Sequence, residues 1–165
     1  MSFEPPRLSS SRELLVDDLK RLLTIETTLA KTMLPKLIQE VSDDELKLAL
    51  EQHLGETRTH ADNVKQSLGE LDEAEGGKDA PALEGLKQEH DSGIAQVVPA
   101  LRDSFDAGAA IGTEHYEIAI YSSAVLIAES LGEGKVAKLL SDNLDQEFAA
   151  LMKLETIAER LAKSG

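Results

Sequence analysis

A chain of 165 residues is long enough to bury one core, and with no cysteine it can carry neither a disulfide framework nor a thiolate metal site. A net charge of −14 disfavours nucleic acid and anionic membrane surfaces and favours cations, and the absence of tryptophan leaves little to stack on a base. Apolar runs are far too short to span a membrane, and the opening Met1-Ser2-Phe3-Glu4-Pro5-Pro6 lacks a signal-like basic or apolar block. The expected location is therefore cytoplasmic.

Residues 1–10 read as a flexible N-terminal arm, and 11–165 as a single domain. The helical pattern starts where Ser10 or Ser11 can cap, with Glu13 near the first turn. Leu15, Leu19, Leu22, Glu26, Leu29, Met33 and Leu37 then recur at steps of three and four. Pro35 falls inside this run and should kink it one turn before its end. Ser42 followed three residues later by Glu45 has capping-box spacing and opens a second helix. Its stripe is Leu46, Leu50, His53, Glu56, His60, Val64, Ser67 and Leu71, and it ends in the loop Glu73–Asp79.

A short helix is predicted over 81–94, with Pro81 in its first turn. Pro99 opens the third long helix, whose stripe is Ala107, Ile111, Glu114, Ile118, Tyr121, Val125 and Ala128, with Glu117 alongside. Gly108, Ala109 and Gly112 give this helix a second, small-residue face that reads as packing against the crossover helix or another subunit. Gly132-Glu133-Gly134 stops it. The fourth helix carries Val136, Leu140, Leu144, Glu147, Leu151, Leu154, Ala158 and Leu161. No strand pattern competes, so the predicted class is all-α.

Five glutamates thus interrupt apolar stripes on four helices: Glu26, Glu56, Glu114, Glu117 and Glu147. A buried unpaired carboxylate costs several kcal/mol, against about 5–15 kcal/mol of net stability for a whole domain. No Lys or Arg occupies the same stripes, whereas two divalent ions would supply about +4 against −5. Residue 41 is the midpoint of Glu26 and Glu56, and residue 132 that of Glu117 and Glu147; each midpoint lies at a predicted turn. In antiparallel hairpins both pairs then sit roughly 22 Å from their turns, near mid-helix, so all four helices bring carboxylates to one layer. The segment from about 73 to 98 is long enough to return along the bundle, the one-crossover topology that holds metals in its core.

His60, four residues after Glu56, can share its face and is a further metal ligand candidate. His53 reads as a core histidine or one that supports a ligand, His115 as packing or hydrogen bonding, and His90 as solvated. Tyr121 could donate to a ligand carboxylate.

The Glu26, Glu56, Glu114-x-x-Glu117 and Glu147 set resembles the ferritin-like superfamily in its rubrerythrin-like arrangement. Across residues 11–162 the chain is similar to the YciF-type bacterial stress proteins, through Leu34-Pro35-Lys36-Leu37, Leu54-Gly55-Glu56-Thr57, Leu83-Glu84-Gly85-Leu86, Glu114-His115-Tyr116-Glu117 and Ala137-Lys138-Leu139-Leu140. The resemblance implies a ferritin-like antiparallel four-helix bundle with a long crossover carrying a short extra helix. It also implies two iron ions, or manganese, reacting with oxygen or peroxide in a stress response, and a homodimer. Glu56 and Glu114 or Glu117 would bridge or chelate, with Glu26 and Glu147 as terminal ligands. Two positions depart from the rubrerythrin pattern: Thr59 and Ala150 stand where histidines would. The alternatives are a non-enzymatic stress or interaction protein with a degenerate site, and a divalent-metal buffer.

Overall fold

The amphipathic stripes fold into helices over residues 7–164, the part of the chain described in the computed structural model. Helix α1 (Ser11–Thr28) opens on a complete capping box: Ser10 accepts from the Glu13 N–H and Glu13 accepts from the Ser10 N–H. Arg7–Ser10 precede it as exposed chain, and the rest of the predicted arm lies outside the described residues. The disruption expected at Pro35 takes the form of a π-helical turn, Leu29–Met33, ahead of α2 (Leu34–Glu40). There the Leu34 N–H reaches back to the Leu29 carbonyl, a widened turn beside a proline that has no N–H to give.

Helix α3 (Asp44–Glu70) is capped by Asp43, which accepts from the Leu46 N–H; the predicted Ser42 box does not form. Helix α4 (Pro81–Ile94) follows the loop, and a 3-10 turn, Pro99–Leu101, leads into α5 (Arg102–Ser130). Gly132 ends the third long helix at φ 74°, a left-handed conformation that costs glycine little, and α6 (Gly134–Ser164) begins at once.

Two apolar clusters define the topology. One gathers Leu15 and Leu19 from the start of α1, Val64 and Leu68 from the end of α3, Ala124 and Ala128 from the end of α5, and Leu140 from the start of α6. The other gathers Ile25 and Leu29, Leu46 and Leu50, Ala107, and Leu154 and Ile157 from the opposite ends. Helix α1 lies against α3 and α5, and α6 against the same two, so neighbours in this four-helix ring run antiparallel. Each fully buried leucine adds about 1.5–3 kcal/mol to holding the ring closed.

The crossover runs back along α1, where the Lys78 N–H donates to the Lys20 carbonyl and to Thr24 Oγ1. It delivers Ala80 and Leu83 to the second cluster. Helix α4 then packs on α5, close enough that a Cβ at Gly93 would lie 2.5 Å from the Phe105 ring. His90 is not solvated as predicted: its Nε2 lies 2.7 Å from buried Asp106, tying α4 to α5. Between the two apolar clusters lies a polar layer.

Candidate metal centre

Every long helix contributes to that layer. Glu26 comes from α1, His53, Thr57 and His60 from α3, Glu114, Glu117 and Tyr121 from α5, and Asn143 and Glu147 from α6, all buried. Spacing explains the convergence: His53 and His60 are seven residues apart, and Glu114, Glu117 and Tyr121 follow steps of three and four, so each set shares a helix face. Leu22, Ile25 and Leu29 flank Glu26 and pull its helix face inward by their own burial.

The side chains form two groups. His53, Glu114, Glu117 and Glu147 bring one donor atom each within 4.8 Å of one another, and so do Glu26, His60 and Glu147. Glu147 belongs to both: its Oε1 lies 2.9 Å from His60 Nδ1, and its Oε2 3.7 Å from His53 Nε2. His53 Nε2 is 3.1 Å from Glu114 Oε1, and His60 Nδ1 is 3.6 Å from Glu26 Oε1.

Each imidazole turns one nitrogen to the layer and has the other held from behind. His60 Nε2 lies 2.8 Å from Gln146 Oε1, and His53 Nδ1 lies 3.4 Å from Glu56 Oε2. A donor hydrogen on those outer nitrogens leaves a lone pair on each inner one, the arrangement typical of metal-ligating histidine. Glu26 is held in turn, since Tyr121 Oη donates to its Oε1 and Asn143 Nδ2 donates to Tyr121 Oη at 3.0 Å. Asn63 Nδ2 donates to Asn143 Oδ1 at 2.7 Å, extending the chain to α3.

Among the described residues, seven buried side-chain atoms have no partner in hydrogen-bonding geometry: Glu26 Oε2, His60 Nδ1, Glu114 Oε2, and both carboxylate oxygens of Glu117 and of Glu147. Folded proteins satisfy roughly 90% or more of such groups, and each orphan costs about 1–3 kcal/mol. All seven belong to the two groups, so the donor set fits cations.

Protonation answers to the same crowding. Burial, then repulsion from Glu147, pushes Glu26 up to about 8. Burial raises Glu114 to about 7 and drives Glu117 well above the usual carboxylate range, with Glu147, Glu26 and Glu114 adding repulsion. Burial alone would lower both histidines, but His53 is raised by Glu114 and Glu56, and His60 by Glu147 and Glu26. Glu147 goes the other way: burial opposes its charge, yet His60 and His53 hold its carboxyl below the ordinary value.

Of the predicted ligands, Glu26, His60, Glu114, Glu117 and Glu147 meet in the layer. Glu56 stands outside both groups, its side chain 25% exposed, hydrogen-bonded by Gln52 and facing the outer nitrogen of His53. His53 takes the inward place on α3. Tyr121 is the carboxylate donor expected, with Glu26 as its acceptor, and His115 is exposed. Thr59 is exposed as well, so an imidazole there would miss the layer. Asn143 and Gln146 were not singled out from the sequence, although Asn143 precedes Glu147 by one helical turn on α6.

Relatives carry the same bundle. Protein YciF of Escherichia coli (strain K12) is 35% identical over 131 residues, 76% of each chain. The crystal structure of that stress protein superposes with a TM-score of 0.88 at 28% identity, covering 96% of this chain and 100% of the other. The YcfI protein of Rhodopseudomonas palustris, described provisionally as a structural protein, gives 0.89 at 30% identity over 93% and 98%. The XCC3681 protein of Xanthomonas campestris pv. campestris gives 0.76 at 27% identity over 94% and 95%. Residues 10–165, which include all four long helices and the whole polar layer, match the domain of unknown function DUF892, and the chain belongs to that family.

Proposed function

We propose that the protein is a ferritin-like stress protein that holds two iron or manganese ions in the polar layer. The observation that carries this reading is the set of seven unpartnered buried donor atoms drawn from four helices. Glu147 would serve both ions, with His53, Glu114 and Glu117 on one side and Glu26 and His60 on the other. Carboxylate and imidazole ligands suit Fe(II) and Mn(II). The bound pair would supply one-electron redox chemistry toward oxygen or peroxide. The chain's own part is to fix the imidazoles through Glu56 and Gln146 and to orient Glu26 through Tyr121 and Asn143, between two apolar clusters.

Metal content by mass spectrometry, after anaerobic Fe(II) loading, tests the reading. About two ions per chain are expected in the natural protein, at most one in Glu117→Ala, and about two in Glu56→Gln, because Glu56 lies outside both groups. No metal in the natural protein sinks it.

One observation favours a second reading, a metal-free stress or interaction protein. His53 and His60 lie close enough to Glu114 and Glu147 to neutralise two carboxylates as internal ion pairs. That reading requires the metal-free result. The homodimer implied by the resemblance is tested separately, by sedimentation velocity.

A further inference from the structure

A cavity of about 660 Å³ opens between the π turn with α2, helix α4 and helix α5. Its floor is not sealed from the polar layer, since His53 and Glu114 line it. Leu29, Met33, Leu37, Leu86 and Phe105 form apolar walls. Exposed Lys36, Glu40 and Glu89 stand at its outer edge.

Its volume lies within the range of about 300–1,000 Å³ that takes organic ligands. Oxygen and peroxide are comparable in size to water, whose share of liquid volume is only about 30 Å³. A passage for those molecules alone would need far less room.

Two independent features mark the cavity as built. Gly108 and Gly112, expected from sequence to pack against the crossover helix or another subunit, meet no other part of this chain: a Cβ added at either has nothing within 4 Å. Their missing side chains therefore leave the wall of the cavity open. At the inner end, Glu114 is buried with its Oε2 unpartnered, a polar atom awaiting a ligand or an ion.

Charge narrows the occupant. Lys36 at the rim is taken up by Asp91 at 2.9 Å and Glu40 at 3.8 Å, and Lys87 by Asp91 at 2.8 Å. Neither lysine is left free to hold an acid. At the inner end His53 is itself held by Glu114 and Glu147, at 3.1 and 3.7 Å, and with Glu117 behind them three carboxyls outnumber one imidazole, which gives an acid no purchase. The geometry points to a binding site for an uncharged, apolar-bodied molecule carrying one hydroxyl or carbonyl oxygen. The apolar body lies along Leu37 and Phe105, and the oxygen faces Glu114 and His53. This names an organic substrate class for the layer and rests on the metal reading only for what happens to that molecule once bound.

The test titrates 1-octanol into the metal-free protein and follows the Leu and Met methyl signals by NMR, with octanoate as the charged control. Saturable shifts at the Met33 and Leu37 methyls are expected, with octanoate at least tenfold weaker. Gly112→Leu and Gly108→Leu fill the space without a backbone clash and should each weaken octanol at least tenfold, with circular dichroism confirming their helices. No saturation in the natural protein, equal binding of octanoate, or unchanged affinity in both folded variants would overturn the inference. Metal content after anaerobic Fe(II) loading is measured on the same preparations. Octanol failing while two ions bind removes only the cavity ligand; octanol binding to a protein that takes no metal upholds the cavity and removes the centre.

Discussion

Tyr121 joins the two halves of the polar layer, donating to Glu26 on α1 and accepting from Asn143 on α6. It is fully buried, so removing its hydroxyl strands groups that water cannot reach. Tyr121→Phe should destabilise the metal-free protein by about 1–3 kcal/mol in urea unfolding. A loss within about 0.5 kcal/mol would mean that Glu26 finds another donor. The same residue scale explains which side chains of the layer were legible in the sequence. Glu26, Glu114, Glu117 and Glu147 were, because each interrupts a stripe of buried apolar residues and the layer forms where those stripes meet. On α3 the stripe offered both Glu56 and His53. At ~100° per residue Glu56 falls about 60° to one side of His53, while His60 returns to within about 20° of it. Buried Thr57, about 40° to the other side, shows which way the helix is turned, and that rotation is set by packing against α1 and α6. A stripe on one helix cannot reveal it.

At the scale of elements, periodicity and breakers sufficed for all four long helices and for α4, whose span over 81–94 agrees with the expectation. The ends were less legible where a tertiary partner decides between neighbouring residues. Ser42 had the better local motif, yet Asp43 caps α3, because its carboxylate also accepts from Arg160 of α6 at 2.6 Å. The backbone N–H of Ser42 is drawn instead to Asp103 at 2.8 Å. Asp43→Ala should therefore cost about 1–2 kcal/mol through the lost cap, whereas Ser42→Ala stays within about 0.5 kcal/mol. Thermal unfolding of the two variants decides this, and equal losses would return the cap to Ser42. The π turn was not legible at all beyond the proline that follows it, because hydropathy spacing does not encode the switch from four- to five-residue hydrogen bonds.

For the molecule as a whole, the buried carboxyls and the net charge of −14 make stability depend on pH in a direction opposite to ordinary acid denaturation. Glu26, at about 8 in the folded protein against about 4.5 when unfolded, keeps a proton that the unfolded chain releases. Glu114 and Glu117 shift the same way, and the raised histidines keep protons above their ordinary 6.5. Wherever the folded state holds more protons, stability falls as pH rises. The metal-free protein should thus lose stability from about pH 5 to 8, by several degrees in Tm at about 2–4 °C per kcal/mol for this size. Glu147, whose folded value is lowered, acts oppositely but only in the acid range below about 4.5. On the proposed metal reading, cations would have to displace these same protons, so affinity should grow as pH rises, and the stabilisation by a fixed Mn(II) concentration with it. Calorimetry across pH 5.5–8.5 should show the metal-free and Mn(II)-loaded curves diverging, with a shallower metal-free slope in Glu26→Gln. Parallel curves would separate the titrating layer from the cation site and leave the carboxyls as a purely structural cluster.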